Sequence, residues 1–199
     1  MPKIKNNKEY VEKQFGQLAV AYGCYRNVEF EACTFTECDF SECDFDHCRF
    51  IDCHFERCNL SLAAFSHTRL NNVVFADCKL VGVDWTRPKW TLFDSGSQIT
   101  FNTCVLNDSS FFELDMDGAT FTDCRMHHVD LTGCSLSEAK LTGCDLSGAI
   151  FSQTNLEGCD LSHSENITID VKNNRLEGST FSRFEAVNML TSLGINLVD

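Results

Sequence analysis

The chain is short of positive charge. Its 199 residues hold 16 lysines and arginines against 29 aspartates and glutamates, a formal net charge of −13, and the sequence pI is about 4.8. Binding a phosphodiester backbone calls for a basic surface, and so does binding anionic lipid, which argues against both as direct ligands. An acidic surface suits solubility, or a basic partner that normally holds nucleic acid. Long apolar runs are missing as well. No stretch of about 18 apolar residues is present, so no membrane span is expected, and the basic, polar Met1–Lys8 leads into no apolar signal core. There is no phosphate-cradling glycine loop, and no cysteine pair has the C-x2-C spacing of zinc sites.

What is present is a period of five. Phe30, Phe35, Phe40, Phe45, Phe50, Phe55 and Leu60 follow one another at that interval. Two positions before the last six stand Cys33, Cys38, Cys43, Cys48, Cys53 and Cys58. A helix cannot gather residues of this spacing on one stripe, and a long flat strand would throw alternate ones to opposite faces. Positions i−2 and i can both point inward only if the chain turns a corner after each short extended segment. Repeated corners wind it into a coil whose stacked turns pair as parallel strands. The ring and the thiol then fill the inside, leaving the residues between them outside.

The thirteen cysteines fit this reading. Twelve occupy the i−2 slot and only Cys24 does not, while Ala63, Thr68, Val73, Ser109, Ala139 and Ala149 fill the same slot elsewhere. Ligands or disulfide partners would not be exchanged for alanine, so the thiols are read as small buried side chains of a chain kept in a reducing cytoplasm. The histidines His47, His54, His67, His127, His128 and His163 all fall outside the inward slots and are read as solvated. Acid pairs such as Asp44/Asp46 and Asp115/Asp117 lie on outward slots with no pocket to shift them. No catalytic constellation emerges, so no enzymatic activity, cofactor or metal is expected.

Along the chain, residues 1–14 read as a flexible N-terminus, 15–181 as the repeat and 182–199 as a helix with its tail. The phase runs from Phe15 to Trp90 and resumes at Phe101, which places a register break or loop at about 91–100. Its polar tip Asp94, Ser95, Gly96 and Ser97 is a candidate partner contact. Beside it, Trp85 and Trp90 flank Arg87 and Lys89, a setting for a cation–π contact. If each turn has four sides, Arg49, Arg69 and Lys89 line up as a ladder above Glu29. In the second run glycine recurs at i+2 (Gly118, Gly133, Gly143, Gly148, Gly158, Gly178), where the first run carries Glu37, Glu42, Asp52 and Arg57, so the corners are expected to differ between the halves. The phase fails at Asn166. Ser182-x-x-Glu185 reads as a capping box, and Ala186, Met189, Leu190 and Leu193 follow at helical spacing. An apolar helix at the open end of a stack suggests a two-fold homodimer through Phe184, Val187, Leu190, Leu193, Ile195 and Leu197.

Cys38-Asp39-Phe40, Cys58-Asn59-Leu60 and Cys144-Asp145-Leu146 resemble the pentapeptide-repeat motif, [Ala/Cys]-[Asp/Asn]-[Leu/Phe]-x-x, over nearly the whole chain. The resemblance implies an all-β fold, a right-handed quadrilateral β-helix, with the short C-terminal α-helix for capping and dimerisation. Within the family the chain is similar to the topoisomerase-poison-resistance branch (Qnr, MfpA and McbG), most of all to its albicidin-resistance (AlbG) type. The similar stretches are Cys58-Asn-Leu-Ser-Leu62, Asp77-Cys-Lys-Leu-Val-Gly-Val-Asp-Trp-Thr86, Leu106-Asn-Asp-Ser109 and the ending Ser192-Leu-Gly-Ile195. That branch implies a cytoplasmic dimer that binds DNA gyrase at the DNA-gate region of its A subunit, and sometimes topoisomerase IV, and protects it from a poison. Qnr proteins carry larger loops than the one short break here, so the resemblance points to an albicidin-like or other natural poison rather than a fluoroquinolone. The alternative function is an interaction scaffold for an unrelated protein.

Overall fold

A computed structural model of the chain describes residues 3–90 and 99–196. The chain winds into a parallel β-solenoid of about eight turns closed by one short helix. Each turn has four sides because the inward residue recurs every five positions and the register between turns is twenty, as in Phe35 opposite Phe55. The most regular side is a nine-stranded parallel sheet running from Gln14–Gly16 to Thr180–Phe181. A second side pairs Glu9–Val11, Glu29–Glu31, Arg49–Ile51 and Arg69–Asn71. The other two sides are flatter ladders of single bridges, such as Ala19 to Asp39 to Asn59 to Lys79 to Val105, apart from the paired strands Cys24–Arg26 and Asp44–Asp46.

The inward columns are filled as the period demands. Phe15, Phe35, Phe55, Phe75, Phe101 and Phe121 stack down one column with ring centroids 4.5–5.3 Å apart, near the spacing of paired strands. Tyr25, Phe45, Phe65, Trp85 and Phe111 form another. Neighbouring columns meet edge to face, as in Phe45 on Phe50, the arrangement ring quadrupoles favour. All twelve i−2 thiols are buried and Cys24 is exposed. The thiols of Cys48, Cys53 and Cys58 each donate to a carbonyl 23 residues earlier, at 3.4 Å. The hydroxyls of Thr68 and Thr154 make the same bond at 2.8 Å. The slot therefore takes a small side chain, and a thiol or hydroxyl there adds one bond to the turn before; burial pushes the thiols of Cys53 and Cys134 up to about 12.

Four expectations change. First, the i+2 corners of the two halves share one backbone form. Glu37, Glu42, Asp52 and Arg57 have φ of 51–55° and Gly143, Gly148 and Gly158 have 67–68°. The corner amide donates to the next turn (Glu37 N to Glu56 O, 2.9 Å), and this bond holds the left-handed conformation with or without glycine. Second, the phase break is longer than one residue. Phe75 pairs with Phe101 and Lys79 with Val105, a register of 26, so six residues are inserted at one corner between Trp90 and Ile99. Inserts of one and six are indistinguishable in a period of five. The candidates Asp94, Ser95, Gly96 and Ser97 lie outside the described residues.

Third, pairing begins ahead of Phe15: Tyr10, in the strand Glu9–Val11, stacks on Phe30 at 5.4 Å. Fourth, Ser182 precedes the helix Arg183–Met189 with no side-chain capping bond. The Glu185 carboxylate instead accepts the amide N–H groups of Asn166 (3.3 Å) and Ile167 (2.9 Å). Asn166 turns outward, its side-chain amide donating to Asp145 at 2.8 Å, and Ile167 and Ile169 are buried in its place. The buried acid thus supplies the partners that the irregular last turn lacks.

Candidate interaction surfaces

The interior is filled, so function falls to the outside of the rod and its ends. The outward residues form ladders of period twenty. Glu29, Arg49 and Arg69 are in register as expected, with Arg49 Nη1 3.2 Å from Glu29 Oε2. At one corner the Gln17 amide donates to Glu37 (3.1 Å) and the Arg57 guanidinium to the same carboxylate (3.4 Å); these two donors hold Glu37 below the usual carboxylate range.

A second side carries a repeated Asp/Asn-x-Ser device. Asp39 accepts from the Ser41 hydroxyl at 2.7 Å, Asn59 from Ser61 at 2.8 Å and Asp145 from Ser147 at 2.6 Å. Asp145 collects two more partners, the His127 ring at 2.6 Å and the Asn166 amide. Burial alone would raise its pKa, but the bonds from Ser147, His127 and Asn166 outweigh burial and leave it well below the ordinary range. The spacing of this device is visible in the sequence, as Asp39-Phe-Ser41 and Asp145-Leu-Ser147, outside the inward positions that carry the period of five.

The C-terminal end is apolar and open. Phe184 is 84% exposed, Val187 40%, Leu193 42% and Ile195 45%, while Leu190 is half-buried and Leu197 lies outside the described residues. Met189 and Glu185 face the solenoid instead. Between helix and last turn runs a groove of about 700 Å³ whose walls include Asn166, Ile169, Glu185, Asn188 and Ser192.

The tryptophan site differs from expectation. Arg87 is held by Asp84 (3.0 Å), and Lys89 is exposed. An ion pair with a carboxylate three residues away replaces the ring as the cation's partner. Trp90 donates its indole N–H to the Trp85 carbonyl at 2.7 Å. Trp85 is fully buried, and its own indole nitrogen has no partner among the described residues.

Two family models match the chain: pentapeptide repeat region over residues 28–94, and pentapeptide repeats (8 copies) over residues 124–162. No curated protein sequence matches. Among solved structures, the chain is similar to two trypsin-treated variants of QnrB1, described as a plasmid-mediated fluoroquinolone resistance protein. One aligns with TM-score 0.67 at 20% identity, covering 93% of this chain and 100% of the other. The second aligns with TM-score 0.65 at 18% identity, covering 96% and 99%. At this identity the likeness is one of fold.

Proposed function

This chain is a pentapeptide-repeat protein, and on that premise we propose that it binds DNA gyrase, with topoisomerase IV as a further target, and protects it from a topoisomerase poison. The observation that carries the reading is the form of the molecule: an acidic, four-sided rod with an apolar helix exposed at one end. At about 4.8 Å per turn, eight turns span roughly 40 Å. Two rods joined through Phe184, Val187, Leu190, Leu193, Ile195 and Leu197 would span roughly 80 Å, about two turns of duplex. The pair would carry twice −13, against on the order of 50 phosphate charges over that length of DNA. Any imitation of DNA therefore rests on shape and on local acidic ladders rather than on total charge. The basic DNA-gate surface of the gyrase A subunit is the proposed docking site, in the cytoplasm, where gyrase works and thiols stay reduced. The similarity in fold to a fluoroquinolone resistance protein supports the reading.

The test is gyrase supercoiling with and without the purified chain, in the presence of albicidin, a fluoroquinolone and a gyrase-directed microcin in turn. The expected result is restored supercoiling and fewer cleavage complexes with at least one of them. No response across the panel would sink the proposal and leave the scaffold reading. Sedimentation as a compact monomer would remove the dimeric rod from it.

A further inference from the structure

We infer that Asp46, His47 and His67 form a surface site for one divalent transition cation of the zinc, nickel or copper class. The solenoid brings them together. His47 follows Asp46 in sequence, and the twenty-residue register sets His67 directly over His47. The two imidazoles stack with centroids 4.6 Å apart and planes 26° from parallel. Both Nδ1 atoms are aimed at one oxygen: Asp46 Oδ1 lies 2.7 Å from that of His47 and 3.1 Å from that of His67. One donor atom from each residue falls within 4.8 Å of the other two.

Two imidazole nitrogens and one carboxylate oxygen make a donor set suited to borderline cations. Magnesium and calcium favour all-oxygen shells and are disfavoured here. Zinc–nitrogen and zinc–oxygen bonds are about 2.0–2.2 Å, so the donors must close in around the ion. The half-exposed histidine side chains are free to make that adjustment. The corner backbone, with φ of 54° at His47 and 55° at His67, presents the pair at the spacing of the turns rather than through two unrelated loops. The neighbours in the column leave the space clear. Arg87, one turn on, is drawn to Asp84 at 3.0 Å, and Asn27, one turn back, donates to Asn7 at 3.0 Å. With the ion bound, each Nδ1 gives its lone pair to the metal and the ring proton resides on Nε2. Three protein donors leave a position open for water or for a donor from another molecule, and the ion ties two successive turns together.

The test is calorimetric titration of the full chain with zinc, in a Cys24→Ser background that removes the exposed thiol. One saturable site per chain is expected. The double variant His47→Asn/His67→Asn, chosen because asparagine accepts positive φ, should weaken binding on the order of tenfold or more, and His127→Asn/His128→Asn should leave it unchanged. On the chain with both histidines intact, electron paramagnetic resonance of bound copper should report two imidazole nitrogens, a readout that needs no variant at the site. No saturable zinc site, equal affinity in the His47/His67 double variant, or a copper spectrum with fewer than two nitrogens would each overturn the assignment.

Discussion

The two halves of the solenoid reach the same backbone by different chemistry. Up to Phe121 the inward columns are mostly aromatic, and most corners carry side chains in the left-handed region. A non-glycine residue there costs about 1–2 kcal/mol. Ladders between turns offset part of that cost: Asn7 with Asn27 at 3.0 Å, Gln17 with Glu37 at 3.1 Å, and Asp52 with Asn72 at 2.6 Å. From Leu131 the columns turn to leucine and glycine takes many corners. There each side chain folds over the glycine of the next turn. A Cβ on Gly143 would lie 2.2 Å from Asp123 Oδ1, and one on Gly158 the same distance from Glu138 Oε1. One half tolerates strain and ties it down with polar contacts; the other relieves it at many corners with glycine and tucks polar groups into the space that glycine leaves.

The largest test of this contrast is in the core. Phe50→Ala removes a ring stacked 4.9 Å from Phe30 and should cost about 4 kcal/mol, against about 3 for Leu141→Ala, measured by chemical denaturation. Equal losses would mean that the stacked rings add nothing beyond their volume. Next comes the irregular last turn. Glu185→Ala leaves two amides without their carboxylate and should cost about 2 kcal/mol, read as faster hydrogen exchange at Asn166 and Ile167. Protection unchanged at those amides would show that the acid is not what holds them.

The corners give a smaller effect, with opposite signs at glycine and non-glycine positions. Gly118 has φ of 71° and open space around a new Cβ, so Gly118→Ala should destabilise by about 1 kcal/mol. Ala32, at φ of 50°, should gain roughly half of that as glycine, because relieved strain is partly offset by unfolded-chain entropy. If both substitutions lower the melting temperature, corner strain is not what separates the two kinds of corner.

The smallest contrast is in acid. Hydrogen bonds from Ser41 hold Asp39 below the usual range, and three partners hold Asp145 lower still. A depressed carboxylate contributes stability above its unfolded pKa of about 3.9, and that stability is lost as the pH falls through the folded value. Asp145→Asn should therefore lower the denaturation midpoint at pH 7 more than at pH 3, and more than Asp39→Asn does. A pH-independent loss at both sites would leave no role for their charge.

The solenoid itself was legible because period five admits one way to bury Phe35, Phe40 and Cys38 together. The four-sided register and the Glu29–Arg49–Arg69 ladder follow from the same count. Corner geometry was not legible: glycine in one half and glutamate in the other look like two turn types, and only the cross-turn amide bond shows them to be one. The length of the insert was hidden because phase is read modulo five. Glu185 was misread because Ser-x-x-Glu is a local pattern, whereas its partners lie nearly twenty residues back. His47 and His67 read one by one as solvated residues, and Asp46 as half of an outward acid pair with Asp44. Each is indeed outward, but the register that stacks the rings also stacks the histidines.

The 26-residue turn has a consequence for descent. Turns are keyed to one another through amides and carbonyls of the turn beneath, so the stack does not count residues along the chain. The stretch between Trp90 and Ile99 already differs in length from its counterparts, and Phe101 still lands on Phe75. Gains and losses of codons at that corner leave both flanking columns intact. A lineage can lengthen, shorten or exchange that segment while inheriting the rod unchanged.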